Sequence, residues 1–212
     1  MKKYLFIGLM AVLATSCEKD PDLSKLDNNF TVYTNYDSKT NFNDFKTYCL
    51  PDSILLIGQG MKAEYWKDEN AQEIIKQVAD EMDTRGYTRV KVIKNANIGL
   101  QLSFTRQTTQ IIGTGGWYGG GWYNGWGGYW GPYWNDWYYP YPVTYSYNTG
   151  TLIMEMVNLT DHPEDTSQKV KLPVIWHSYA TGLLFENSKY NMQLTLDAVN
   201  QAFDQSPYIK KS

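Results

Sequence analysis

Cysteine is nearly absent from this sequence. Of 212 residues only Cys17 and Cys49 are cysteine, and Cys17 stands directly behind a leader-like segment. Past that point a single thiol remains, so no internal disulfide is expected and stability has to come from a packed core. Cys49, between Tyr48 and Leu50 in an apolar stretch, reads as a buried small hydrophobe. Histidine is equally scarce, at His162 and His177. With no HExxH or CxxC spacing, a zinc site would need carboxylates to complete it, so neither a metal nor a cofactor is expected. No GxSxG elbow nominates a serine nucleophile, and Gly58-Gln59-Gly60 lacks the third glycine of a phosphate cradle. The carboxylate pairs Asp68/Glu69 and Asp80/Glu81 occupy adjacent helical positions and solvate a surface. His177, beside Trp176, reads as a strand residue facing outward or satisfied in the core. Excess positive charge is lacking too. The formal charge is -3, and a nucleic-acid partner, which needs a basic face, is excluded.

What is present begins at the N-terminus. MKKYLFIGLMAVLATSC carries two lysines, an apolar run from Tyr4 to Ala14 and the small residues Ala14, Thr15 and Ser16 before Cys17. That is the order of a secretory signal peptide, and its apolar run is too short for a permanent membrane span. A cysteine directly after the small residues resembles a lipobox, with Ala14 where leucine is usual. Cleavage before Cys17 and its acylation would anchor the chain in a membrane, each buried methylene contributing about 0.8 kcal/mol. Residues 1–16 are therefore expected to be a lipoprotein signal peptide and residues 17–29 a lipidated, polar tether. Losing Lys2 and Lys3 with the signal peptide would leave a formal charge of -5. Glu18 rather than aspartate follows Cys17, and the acidic cluster Glu18, Asp20, Asp22 resembles a surface-export signal of some Gram-negative gut anaerobes. The outer membrane is the expected location, with its outer face favoured over the periplasmic one.

Residues 30–212 read as one α+β domain. FTVYTNY (30–36) has strand alternation and β-branched content, DFKTYCLP (44–51) is a second extended piece ended by Pro51, and DSILLIGQGM is a loop or short strand. From Trp66 to Arg85 the period becomes helical: Ile74, Ile75, Val78, Ala79 and Met82 form one stripe, with Gly86 as the stop. Strands are predicted at 87–93 and 97–109, the latter half-buried, with Ile98, Leu100, Leu102 and Phe104 inward and Gly99, Gln101, Ser103 and Thr105 outward. Further strands are predicted at 144–159 and 172–182, and a second helix at 190–203 before Pro207. The order predicts a mainly antiparallel sheet with two helices packed on one face, plus a long Gly/Trp/Tyr-rich loop insertion at 113–142. Two short modification patterns, Asn158-Leu159-Thr160 and Asp52-Ser53-Ile54, match glycosylation acceptors of a kind that arise by chance.

TVYTNYDSKTNFNDFKTYCLP resembles the opening block of the DUF4136 family, uncharacterised bacterial lipoproteins built on a domain of unknown function: an extended stretch, an aspartate, then phenylalanine followed by Lys-Thr-Tyr. Arg85-Gly86-Tyr87, the strand 97–104, Gly150-Thr151-Leu152, Val174-Ile175-Trp176 and the closing helix before Pro207 fit the rest of its course. The resemblance spans 30–207. It implies an α+β envelope domain and supplies no catalytic residues.

The segment GGWYGGGWYNGWGGYWGPYWNDWYYPYP (115–142) is unlike the rest. Trp122, Trp126, Trp130 and Trp134 recur every four residues, but the intervening glycines cost a helix about 1 kcal/mol each and Pro132 roughly 3. Glycine and proline equally oppose regular strands. A long loop between two core strands is therefore expected, presenting Trp117, Trp122, Trp126, Trp130, Trp134 and Trp137. Such rings either fold back over the sheet or stack on sugars, membrane interfaces and aromatic residues of other proteins. The expected function is a non-enzymatic binding or scaffolding role in the envelope, with an envelope protein or a glycan as partner. An envelope hydrolase is the alternative, and a cleft holding His177 beside a carboxylate would favour it. A purely structural lipoprotein is the third reading.

Overall fold

A computed structural model of the chain describes residues 30–57, 64–105, 134–141, 150–160, 170–183 and 189–211. Among these the order is β1 (Thr31–Tyr36), β2 (Thr47–Cys49), β3 (Ile54–Ile57), β4 (Glu64–Trp66), α1 (Glu69–Thr84), β5 (Thr88–Arg89), β6 (Ile98–Thr105), β7 (Trp134–Tyr138), β8 (Thr151–Asn158), β9 (Val170–Thr181) and α2 (Lys189–Asp204). The sheet runs β1-β9-β8-β6-β2-β5, with the β3–β4 pair attached to β6 and β7 attached to β9. The long pairings β1–β9, β9–β8 and β8–β6 are antiparallel, whereas β2, β3, β5 and β7 enter through short parallel pairings. The fold is thus α+β with a mixed, mostly antiparallel sheet.

Both helices lie on one face, because only that arrangement buries their apolar stripes. Ile74, Ile75, Val78 and Met82 of α1 join Leu194, Ala198, Val199 and Phe203 of α2 in one core with Ile98, Leu100, Leu102, Phe104, Leu152, Met154, Met156 and Trp176 of the sheet. Each such large side chain contributes about 1.5–3 kcal/mol by leaving water. Trp176, fully buried, also needs a partner for its indole N–H and donates to Ser206 Oγ at 2.9 Å.

The ends of α1 follow from its sequence. Asp68 caps the first turn by accepting from the Ala71 N–H at 3.1 Å, and the indole of Trp66 donates to the same carboxylate at 2.6 Å. Trp66 therefore closes β4, and the helix expected from Trp66 starts at Glu69. At the other end Gly86 takes φ +89°, with Gly86 N–H on Asp83 O and Tyr87 N–H on Met82 O. That pair of bonds is a Schellman cap, which satisfies two terminal carbonyls.

Two sequence expectations need correction, and a third is narrowed. Of the loop or short strand expected in DSILLIGQGM, the structure has the short strand, β3, which pairs with both β4 and β6. The strand expected over 87–93 shrinks to Thr88–Arg89 followed by a 3-10 turn at Ile93–Asn95, since its parallel partner β2 is only three residues long. The outward side of β6 is not solvated: Gln101, Ser103 and Thr105 are as buried as the leucines opposite them. Two observed helices and the strands at 98–105, 151–158 and 170–181 otherwise match the predicted elements within a few residues. Residues 106–109 of the strand expected over 97–109 and residues 144–149 of that expected over 144–159 lie outside the described residues.

Candidate functional site

The face of the sheet away from the helices carries an unusual row. Antiparallel partners directly opposite each other point to the same side. The register sets Asn35 of β1 opposite His177 of β9, His177 opposite Glu155 of β8, and Glu155 opposite Gln101 of β6. Four polar side chains from four adjacent strands therefore stand side by side. Glu155 and His177 are each 1% exposed and Gln101 is fully buried. Beside this row runs a second, Tyr33-Tyr179-Ile153-Ser103.

The row is covered from the aromatic segment. Trp134 and Trp137, expected on a loop, have their backbone in β7, paired with Val170 and Leu172 of β9. The chain then crosses the polar row. The Tyr139 hydroxyl donates to Glu155 Oε1 in a short contact, and the Tyr141 ring stacks on His177 at 5.7 Å and 10° with its hydroxyl 2.9 Å from Nδ1. Tyr139 meets the same imidazole edge-on at 5.5 Å. Gln101 donates to Ser103 Oγ at 3.2 Å. The end of the segment, 134–141, is thus part of the fold.

Burial sets the chemistry of this cluster. Loss of solvent lowers the His177 pKa to about 3, so the imidazole is neutral at physiological pH. Burial, reinforced by the negative charge of Glu155, raises the Tyr141 pKa far above its ordinary value. A histidine beside a carboxylate is the juxtaposition that would favour a hydrolase. Here, however, the imidazole is shielded by two tyrosines and has a proton affinity far below the near-neutral value that a general base needs. Among the described residues no group of three His, Cys, Asp or Glu side chains converges as a metal site would.

The His177 shift has a measurable consequence. Between pH 6.5 and about 3 the unfolded chain binds a proton at this residue that the folded chain does not. Folding stability therefore falls as pH drops through that window, by up to about 1.4 kcal/mol per pH unit, and the contribution is flat above 6.5. Urea midpoints measured from pH 7 to 4.5 should show a shallower acid decline for His177→Gln than for the wild type; parallel curves would show that His177 is not the responsible group.

The match to known proteins fits this architecture. The family model described as domain of unknown function (DUF4136) matches residues 32–208. The chain belongs to the DUF4136 family. A solved DUF4136 family protein from Bacteroides thetaiotaomicron is 40% identical, with a TM-score of 0.69, the alignment covering 88% of this chain and all of that one. A PelC dodecamer from Paraburkholderia phytofirmans (13% identity, TM-score 0.40, 86% of this chain and 99% of that one) is a more distant match. So is a PDZ domain protein from Parabacteroides distasonis (13%, 0.40, 85% and 37%). No curated protein matches.

Of the residues singled out in the sequence, Cys17, Trp117, Trp122, Trp126 and Trp130 lie outside the described residues. The cluster of Glu155, Tyr139, Tyr141 and Gln101 was not anticipated. Its one sequence signal is Glu155 itself, a lone charge in TLIMEMVN, where both alternating faces are otherwise almost wholly apolar.

Proposed function

We propose that this DUF4136 protein is a lipid-anchored outer-membrane domain with a binding or scaffolding role in the envelope, exercised through the front part of its aromatic segment. The observation that carries this reading is where the described chain leaves and rejoins the fold. Thr105 ends β6 level with Thr151, and so with the Thr181 end of β9, whereas Trp134 rejoins at Val170, the start of β9. Eleven residues of strand separate those levels, about 36 Å. The intervening stretch, 106–133, is about 28 residues long and could reach roughly 90 Å fully extended. Trp117, Trp122, Trp126 and Trp130 lie in that stretch, outside the described residues, while Tyr139 and Tyr141 are committed to Glu155 and His177. Rings of this kind stack on sugar faces and on aromatic side chains of proteins, so a glycan or an envelope protein is the partner class.

The anchor reading rests on the order of lysines, apolar run, small residues and Cys17, with the outer face favoured by the acidic residues after it. Replacing Cys17→Ser in the full chain should move it from the membrane fraction to the soluble fraction, and metabolic labelling with a radioactive fatty acid should fall to background. Unchanged fractionation would remove the lipid anchor from the account. For the binding role, the joint substitution of Trp117, Trp122, Trp126 and Trp130 by alanine should lower retention on purified cell wall, outer-membrane vesicles or a glycan panel at least tenfold. Retention equal to wild type on all three would remove it.

A further inference from the structure

Strands at the edge of a sheet expose unpaired backbone groups, and natural proteins protect them with charge, proline, bulges or brevity. Two of the outer strands here follow that rule. β5 has two residues, one of them Arg89, which bonds Leu50 O and Asp52; β4 has three, one of them Glu64. β1, at the head of the sheet, does not. TVYTNY has six residues with no charge and no proline, its register against β9 is unbroken, and among the described residues no strand pairs with its outer side.

The outward groups can be assigned. Asp37 N–H donates to Ile175 O, one step beyond the Tyr36–Trp176 pair. Because hydrogen-bonded pairs alternate along an antiparallel ladder, residues 31, 33 and 35 turn their backbone groups toward β9. Val32, Thr34 and Tyr36 turn theirs outward. The Tyr36 N–H is already taken by Asn35 Oδ1 at 2.9 Å. Val32 and Thr34 are left with both a donor and an acceptor facing away from the sheet.

We propose that this edge receives a second copy of the same chain, β1 against β1 antiparallel about a two-fold axis at Tyr33, so that the two sheets become one. That axis brings Val32 opposite Thr34 of the second copy and Thr34 opposite Val32, satisfying each donor and acceptor reciprocally. An axis at Thr34 would instead set Val32 against Tyr36, whose N–H is occupied. Tyr33 supports the same register. It is 44% exposed, among the most exposed large apolar side chains in the described residues, and stacks at 5.0 Å on Tyr179. In the dimer it would meet Tyr33 of the second copy at a non-hydrogen-bonded position, where side chains approach most closely, and extend that stack across the axis. A strand without charge meets its own copy without repulsion. The arrangement also suits the chain leading into β1: Thr31 of each copy stands opposite Asn35 of the other, so the two N-terminal segments leave about 13 Å apart along the strand. On the lipid-anchor reading given above, both could then enter one membrane; the edge pairing itself does not depend on that reading.

The test uses the full chain in membranes, oxidised with copper phenanthroline and resolved on a non-reducing gel. Cα atoms in a non-hydrogen-bonded pair are about 4.5 Å apart, within disulfide range. Tyr33→Cys should therefore give a reducible dimer severalfold above both wild type, which controls for Cys17 and Cys49, and Thr31→Cys, whose symmetry mate is out of reach. Adding Thr34→Pro deletes an outward N–H without touching the β9 ladder and should return the Tyr33→Cys dimer to the wild-type level. Equal crosslinking of Tyr33→Cys and Thr31→Cys would overturn the proposal, as would a Tyr33→Cys dimer that survives in a folded Thr34→Pro background. Should Thr34→Pro fail to fold, the contrast between Tyr33→Cys and Thr31→Cys decides by itself.

Discussion

Gly150→Ala is expected to abolish cooperative folding or to cost more than about 4 kcal/mol, the range reserved for a specific steric or strain failure. Gly150 adopts φ +74°, donates its N–H to Thr105 O at 2.9 Å and accepts from the Leu183 N–H at 2.9 Å. It thereby ties together the ends of β6, β8 and β9. A Cβ at this position would fall 1.3 Å from the Leu183 carbonyl oxygen, an overlap that only backbone movement could relieve. Leu183 is itself fully buried in the core, so that movement would be transmitted to the packing. Gly86→Ala provides the internal comparison. Its φ is +89°, but the nearest atom a Cβ would meet is the Lys211 Cβ at 3.3 Å. The cost there is the left-handed conformation, about 1–2 kcal/mol. Urea unfolding of the two variants should separate them clearly, and similar midpoints would mean that close approach at Gly150 is not the controlling feature.

Tyr139 is the second position of large effect. Removing only its hydroxyl, Tyr139→Phe, takes a charge-assisted donor from buried Glu155 and should cost about 1.5–3 kcal/mol. Tyr139→Ala also removes a 4%-exposed ring from the back of the sheet and should cost about 3–5 kcal/mol. The diagnostic variant is the pair Tyr139→Phe with Glu155→Met. Once the carboxylate is gone, the missing hydroxyl no longer matters, and most of the loss should be recovered. Additive losses in the double-mutant cycle would show that Tyr139 and Glu155 are not coupled and that Tyr139 acts through packing alone.

Much of the helical face was legible from periodicity. The stripe from Ile74 to Met82 and the alternation of Ile98, Leu100, Leu102 and Phe104 both appear in the core as read. Local spacing suffices there because one face of each element is apolar and the other polar. The opposite face was not legible, because what buries Gln101, Ser103 and Glu155 includes residues remote in sequence whose pairing no local pattern announces. The strand β7 was missed for a different reason. Glycine and proline argue against regular structure through Gly131 and Pro132, yet Trp134–Tyr138 contains neither, and its aromatic content suits a strand. Averaging the composition over the whole segment hid that break. For β3 the sequence left loop and short strand both open, since Gly58 and Gly60 lie just beyond its four apolar residues.

The division of the aromatic segment at about residue 133 is the centre of this account: residues 134–141 pair with the sheet and cover it, and the residues before them are proposed to contact a partner. The direct measurement compares the full chain with one whose residues 115–131 are replaced by a glycine/serine linker of the same length, for binding to outer-membrane vesicles, purified cell wall and a glycan panel, with melting temperature followed in parallel. Binding is expected to be lost while the melting temperature stays within about 2 °C, because β7, Tyr139 and Tyr141 remain in place and the connection keeps its length. A fall of about 10 °C or more, or binding that persists after the replacement, would contradict it.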